Sequence, residues 1–255
     1  MIDVKQCSLS ISGITVLDDI TITLNDGETI GIVGKSGSGK TSFLKTLAHR
    51  IPGYGGSISV NGAPLPLLKS ALEKEVTYCG PAVPANPDES LGEFLLQGRL
   101  PYKKAFRPYS DYDRQTVDEY ADILDLTRLR AMKIGAVPDG AFRRALLARA
   151  FVRGSHAVLL DNPTSDLDIT SVVLLQKAIA RYVIEGNRLA VVCSGDLNFV
   201  SAVADRVLVM DGGRIAESGT VDILDADLIK RYFGIDVIIS RNIYNGKPQI
   251  HSFPE

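Results

Sequence analysis

Through about Gly62 the chain alternates apolar and polar positions, as in Ile20-Thr21-Ile22-Thr23-Leu24, the two-residue period of strands with one buried face. Asn25-Asp26-Gly27 and Asn61-Gly62 punctuate that pattern as turns, so this stretch predicts a β-rich unit. Inside it, the apolar run Ile30 to Val33 predicts a buried strand, and Thr41 to Leu47 predicts the start of a helix. From Leu91 to Phe151 the period changes. Val117, Tyr120, Ala121 and Leu124 form an i, i+3, i+4, i+7 stripe, with Ser110 and Asp111 placed to cap its start, and the middle third predicts an all-helical insert.

Strands and helices then alternate: a strand at Val158 to Leu160, a helix near Thr170 to Ile184 stopped by Gly186, and a strand at Leu189 to Cys193. A short helix after Asp196 and a strand at Val207 to Met210 follow. Such alternation predicts a parallel sheet covered by helices. Asp211-Gly212-Gly213 reads as a hairpin turn, a last helix is predicted near Asp222 to Phe233, and Ile235 to Ser240 pairs with Gln249 to Phe253 across Asn245-Gly246. No repeat or flexible interdomain linker interrupts this order. The expectation is one α/β domain over residues 1–255, with a core and β-subdomain at about 1–90 and 155–255 and a helical subdomain at 91–154.

With 255 residues and 45% hydrophobic composition, the chain can bury a substantial core. Its 28 basic and 30 acidic residues leave a net charge of −2 without long like-charge runs, which argues against nucleic acid as a partner. No apolar stretch reaches the length of a membrane-spanning helix, and the polar start at Asp3 and Lys5 does not read as a signal peptide, so membrane association is expected only through partners. Cys7, Cys79 and Cys193 are odd in number and widely spaced, as reduced cytosolic thiols are. His49, His156 and His251 are equally isolated, and no transition-metal site is expected.

The candidate chemistry begins directly after the Ile30 to Val33 run. Gly34-Lys35-Ser36-Gly37-Ser38-Gly39-Lys40-Thr41 is a phosphate-binding loop in its required context, after a strand and before a helix. Its glycines let backbone N–H groups turn toward phosphates, Lys40 reaches the β- and γ-phosphates, and the Thr41 hydroxyl can ligate Mg²⁺. ATP and Mg²⁺ are therefore the expected cofactors.

A second segment, Ala157-Val158-Leu159-Leu160-Asp161-Asn162-Pro163-Thr164-Ser165-Asp166-Leu167-Asp168, resembles the Walker B and D-loop region of ABC-transporter ATP-binding subunits. The resemblance runs over nearly the whole chain and is nearest to importers of iron-siderophores, haem and cobalamin. Gly98-Arg99-Leu100-Pro101-Tyr102, Thr164 to Ile169, Asp205-Arg206-Val207 with Gly212 to Ile215, and the tail Tyr232 to Val237 carry it. It implies an α/β P-loop NTPase core of ABC type, an N-terminal antiparallel β-subdomain and an inserted α-helical subdomain. It further implies Asp161 as the magnesium-site aspartate and a head-to-tail dimer, homomeric or with a second ATP-binding chain. Such a dimer would dock on transmembrane permease subunits at the cytoplasmic face of the membrane, near residues 92–107, with Phe94 and Tyr102 as docking candidates. A periplasmic or extracellular binding protein would deliver cargo to the permease.

Against that family pattern several positions depart. Asn162 stands where a glutamate polarises the attacking water, Gly195 where a histidine contacts the γ-phosphate, and Pro81 where the Q-loop glutamine meets the metal. Asn86 is a nearby substitute for the glutamine, while Asp196 is expected to cap the helix after it rather than to replace the histidine. The segment normally LSGGQ reads Val137-Pro138-Asp139-Gly140-Ala141, and Asp139 is expected to cap the helix Gly140 to Phe151, filling the family's own phosphate seat. Ile11 falls where an aromatic residue stacks on adenine. Lys40, Thr41 and Asp161 remain, enough for Mg-ATP binding, so the expectation is an importer subunit that binds ATP and is deficient in hydrolysis. The alternatives are an active ATPase with non-standard catalytic groups and a nucleotide-gated regulator without transport.

Overall fold

Strands apolar on both faces belong inside a parallel sheet, and the chain places them there. The structure, a computed structural model, describes residues 1–80 and 85–252. Along the chain run β1 (Ile2–Ile11), β2 (Ile14–Leu24), β3 (Thr29–Val33), α1 (Lys40–Leu47), β4 (Gly55–Val60), β5 (Ala63–Pro64), α2 (Lys69–Glu75) and β6 (Val76–Cys79). Then come α3 (Leu91–Leu96), α4 (Asp111–Ile123), α5 (Asp139–Arg153), β7 (Ala157–Asp161), α6 (Ile169–Gly186), β8 (Leu189–Cys193), α7 (Leu197–Val203) and β9 (Arg206–Asp211). Last are β10 (Arg214–Thr220), α8 (Ala226–Phe233), β11 (Val237–Arg241) and β12 (Pro248–Ser252).

The central sheet has the order β10-β9-β3-β8-β7-β6, parallel except for β10. Every residue of β3, β7 and β8 is buried, as the near-continuous apolar runs require. Alternate residues feed two cores. Val158, Leu160, Ala190 and Val192 pack with the helical layer of α3 to α6. Ile30, Ile32, Leu159, Val191 and Leu208 pack with α1 and the antiparallel sheet β2-β1-β4-β5. The last two strands form a separate hairpin over Val207 and Val209.

Helix ends follow local capping. Ser110 accepts from Asp113 N–H and Asp113 answers at Ser110 N–H, so α4 starts where its stripe predicts. Two expected ends move. Gly186 is the last residue of α6 rather than the stop after Ile184, and Asn187 takes the left-handed closing position at φ 45°, a conformation asparagine tolerates. The final helix starts at Ala226, because Asp225 accepts from Leu228 N–H, and Val221 to Ile223 forms only a 3₁₀ turn. The expected strand end at Phe253 lies outside the described residues.

The Gly98 to Tyr102 segment proves to be an internal tie. Arg99 is buried, donates to Asp113 Oδ1 at 2.7 Å and to the Val152 and Arg153 carbonyls at 3.2 and 2.9 Å, and stacks on Tyr102. Tyr102 donates to the Gly154 carbonyl, and Phe94 is fully buried, so neither is a free docking residue. Burial alone would raise the Asp113 carboxyl, but the hydrogen bonds from Arg99 and Ser110 outweigh it and hold the group below its ordinary value. Stability from the pair is thus present above the ordinary carboxylate value and lost as pH falls through the lowered one. Arg99→Met strands the Asp113 charge and is expected to lower stability by about 3–5 kcal/mol, read from urea unfolding at neutral pH. An unchanged midpoint would mean that Asp113 finds another donor.

Candidate functional site

The carboxyl ends of β3, β7 and β8 lie side by side, and each opens into a segment singled out by the sequence. Register sets this: Ile32 pairs with Cys193, and Cys193 with Asp161. The loop after β3 wraps the first turn of α1, while Asn162 follows Asp161 and Ser194-Gly195 follows Cys193. The Asn162 N–H donates to the Cys193 carbonyl at 2.8 Å and the Ser194 N–H to the Ile32 carbonyl at 3.3 Å, so the ladder continues into the site. Between these segments is a cleft of about 500 Å³.

The loop's backbone depends on glycine at two close approaches. Gly34 sits at φ 150°, where a Cβ would stand 2.2 Å from the Met210 carbonyl oxygen, and Gly39 at φ 99°, where it would stand 2.8 Å from that of Val16. Lys40 Nζ donates to the Gly34 and Lys35 carbonyls at 2.7 and 2.8 Å and to Ser38 Oγ at 3.3 Å. Burial pushes the Lys40 ammonium down, against the opposing pull of Cys193 and Asp161. Gly34, Ser36, Gly37, Ser38, Gly39, Lys40 and Thr41 all line the cleft.

Thr41 Oγ1 donates to Asp161 Oδ1 at 3.0 Å. A hydroxyl whose hydrogen is committed to a carboxylate still offers lone pairs to a cation, so Thr41 and Asp161 together fit a hard divalent ion such as Mg²⁺. When bound, that ion would neutralise charge on the phosphate oxygens. Cys193 also lines the cleft, but burial raises its thiol well above the ordinary value, and it stays protonated and inert.

The departures from the family pattern take concrete form. Asn162 lines the cleft in the left-handed region at φ 48°, and its carbonyl accepts from Arg143 Nη2 at 3.1 Å and Ser165 Oγ at 2.9 Å. Gly195 lines the cleft with no atom within 4 Å of where a Cβ would stand. Asp196 accepts from Phe199 N–H at 3.0 Å and caps α7, as expected. Pro81 lies outside the described residues. Asn86 is bonded in its own turn, its Oδ1 accepting from Asp88 N–H.

Two placements correct the sequence reading. Asp139 does not cap α5: the cap position belongs to Pro138, whose ψ of 144° is extended, no side chain accepts there, and Asp139 is the exposed first helical residue. Proline approaching a helix in an extended conformation fixes the start one residue earlier than a capping aspartate would. Ile11 is at the exposed tip of the β1–β2 hairpin, paired with Ile14, and Val16 lines the cleft instead. Sequence reasoning missed Val16, Arg143 and Tyr78, which donates to Asp161 Oδ2 at 2.7 Å. No local signal marked Tyr78, the next-to-last residue of β6.

A glycine-bent loop around a helix start, a lysine inside it, and a threonine on a strand-end aspartate define a P-loop nucleotide cleft. The ABC transporter family model matches residues 17–165, and the chain belongs to that family. It is 25% identical over 249 residues to the ferric enterobactin transport ATP-binding protein FepC of Escherichia coli, covering 96% of this chain and 92% of that protein. It is 29% identical over 230 residues to the hemin import ATP-binding protein HmuV of Nocardia farcinica, covering 86% and 75%. In fold it is similar to an inward-facing ABC transporter described as metal-chelate type, with TM-score 0.81 at 20% identity over 99% of this chain and 97% of that one.

Removing the loop ammonium should be felt at once by a triphosphate. Lys40→Ala is expected to weaken nucleotide binding by at least about tenfold, the loss of one charge-assisted contact, in calorimetric titration.

Proposed function

We propose that this chain is the ATP-binding subunit of a metal-chelate importer and that it holds Mg-ATP without turning it over efficiently. The observation that carries this is the contrast inside one cleft. Lys40, Thr41 and Asp161 are in place, whereas position 162 offers an amide and position 195 no side chain. An amide can orient water but cannot accept its proton, and such a loss is worth about 10²–10⁴ in rate. The likeness to FepC and HmuV supports transport of a metal chelate as the setting.

In this reading the chain pairs head to tail with a second copy or a second ATP-binding chain, docks on a permease at the cytoplasmic face, and serves a binding protein through it. Among the described residues no helix is long and apolar enough to cross a membrane. Leu100 and Phe106, exposed beside the buried Arg99 tie, are the apolar contacts offered to a permease.

Purified chain is expected to bind Mg-ATP while releasing phosphate at the background rate. Robust release that vanishes in Lys40→Ala overturns the proposal and favours non-standard catalytic groups. The double variant Asn162→Glu, Gly195→His is expected to raise turnover by at least about tenfold. A Cβ at position 195 would meet nothing within 4 Å, and glutamate at the left-handed position 162 costs about 1–2 kcal/mol. Capture from native membranes under Mg-ATP, followed by mass spectrometry, should return a permease chain; a soluble partner alone favours a regulator.

A further inference from the structure

Asp161 has two carboxylate oxygens, and the fold assigns a different donor to each. Thr41 on α1 serves Oδ1 and Tyr78 on β6 serves Oδ2, at 3.0 and 2.7 Å. A carboxylate has about four lone-pair sites, so two remain for a cation or its bound water once these donors are placed. The orientation of the group is then set from two sides, with its remaining capacity turned to the cleft that it lines.

The phenol is itself held. On one side the Arg50 guanidinium lies 4.6 Å from the ring centroid. Close to its edge is Gly80, where an added Cβ would stand 2.7 Å from Tyr78 Cε1 and 2.8 Å from its hydroxyl oxygen. The ring therefore fills the space a side chain at position 80 would take. A phenol is a hydrogen-bond donor in its ordinary neutral form, and here the Tyr78 hydroxyl donates to Asp161 Oδ2. Pro81, which follows Gly80 in the sequence, has no polar side chain.

We propose that Tyr78 is a positioning residue for the divalent cation: by anchoring Asp161 Oδ2 it aims the carboxylate, with Thr41, at the metal that accompanies the nucleotide. It supplies from the end of β6 the polar link to the metal site that Pro81 cannot. This rests on the reading of the cleft as a Mg-nucleotide site. A phenol that only satisfied its own buried hydroxyl would affect stability, not the metal's share of binding.

The test is Tyr78→Phe in the full chain, with ATP affinity measured by calorimetry in Mg²⁺ and again in EDTA, beside the thermal midpoint. The expected result is a loss of about tenfold in Mg²⁺, the value of one hydrogen bond to a charged group, with affinity in EDTA unchanged. Gly80→Ala keeps the hydroxyl but displaces the ring, and it is expected to lose affinity in Mg²⁺ in the same selective way. An unchanged affinity in Mg²⁺ for Tyr78→Phe, or an equal loss in both conditions, overturns the proposal. Wild-type binding that ignores Mg²⁺ overturns instead the reading of the cleft beneath it.

Discussion

A buried carboxylate at the end of a central strand is the constraint around which the rest of this molecule is arranged. Asp161 is only 6% exposed, and a charge so placed is tolerated only with partners. Its partners come from two different elements, α1 and β6, on two flanks of β7. That requirement fixes the relation of the phosphate loop to the sheet, because Thr41 opens the helix that the loop wraps. It also fixes the height of β6 beside β7, since the phenol must reach up two residues' length from the position paired with Leu159. The parallel register then delivers Cys193 beside Asp161, and with it the open Gly195 turn.

Holding a nucleotide and cleaving it place different demands on this framework. Holding uses backbone N–H groups, one ammonium and one metal carboxylate, all tied to the sheet and to α1. Cleaving uses side chains at loop positions that the framework does not need. Asn162 suits its left-handed turn as well as any residue and is secured through its carbonyl by Arg143 and Ser165, whatever its side chain does. A Cβ added at Gly195 would meet nothing within 4 Å. The side chains at these two positions can therefore change at little cost to folding, and the cradle does not depend on them.

The layers, the order of elements and the loop from Gly34 to Thr41 were legible because each rests on a local period or a contiguous motif. Asp196 as a cap was legible for the same reason, since its partner is three residues away. Helix ends were less so: Asp222, Asp225 and Asp227 are chemically alike, and only tertiary fit makes Asp225 the cap. Tyr78 was illegible in principle, because its role depends on a hydrogen bond spanning 83 positions, and nothing in Val76-Thr77-Tyr78-Cys79 separates it from an ordinary strand tyrosine. Arg143 is similar, one of four arginines of α5, and the carbonyls it donates to, those of Gly80 and Asn162, lie far away in sequence from it and from each other.

The start of α5 bears on what a second chain would meet. Because Pro138 offers no side-chain acceptor and Asp139 stands exposed beyond the cap, no side chain among the described residues caps the first-turn amides. The positive end of a fifteen-residue helix is thus available, but with a carboxylate at its rim. A phosphate approaching from a partner would gain from the amides and be opposed by Asp139, and the two effects are of similar size at an exposed helix end. Affinity for the triphosphate must then come chiefly from the chain's own loop, with Lys40 and the Asp161 metal site contributing most, and pairing would respond to nucleotide only weakly.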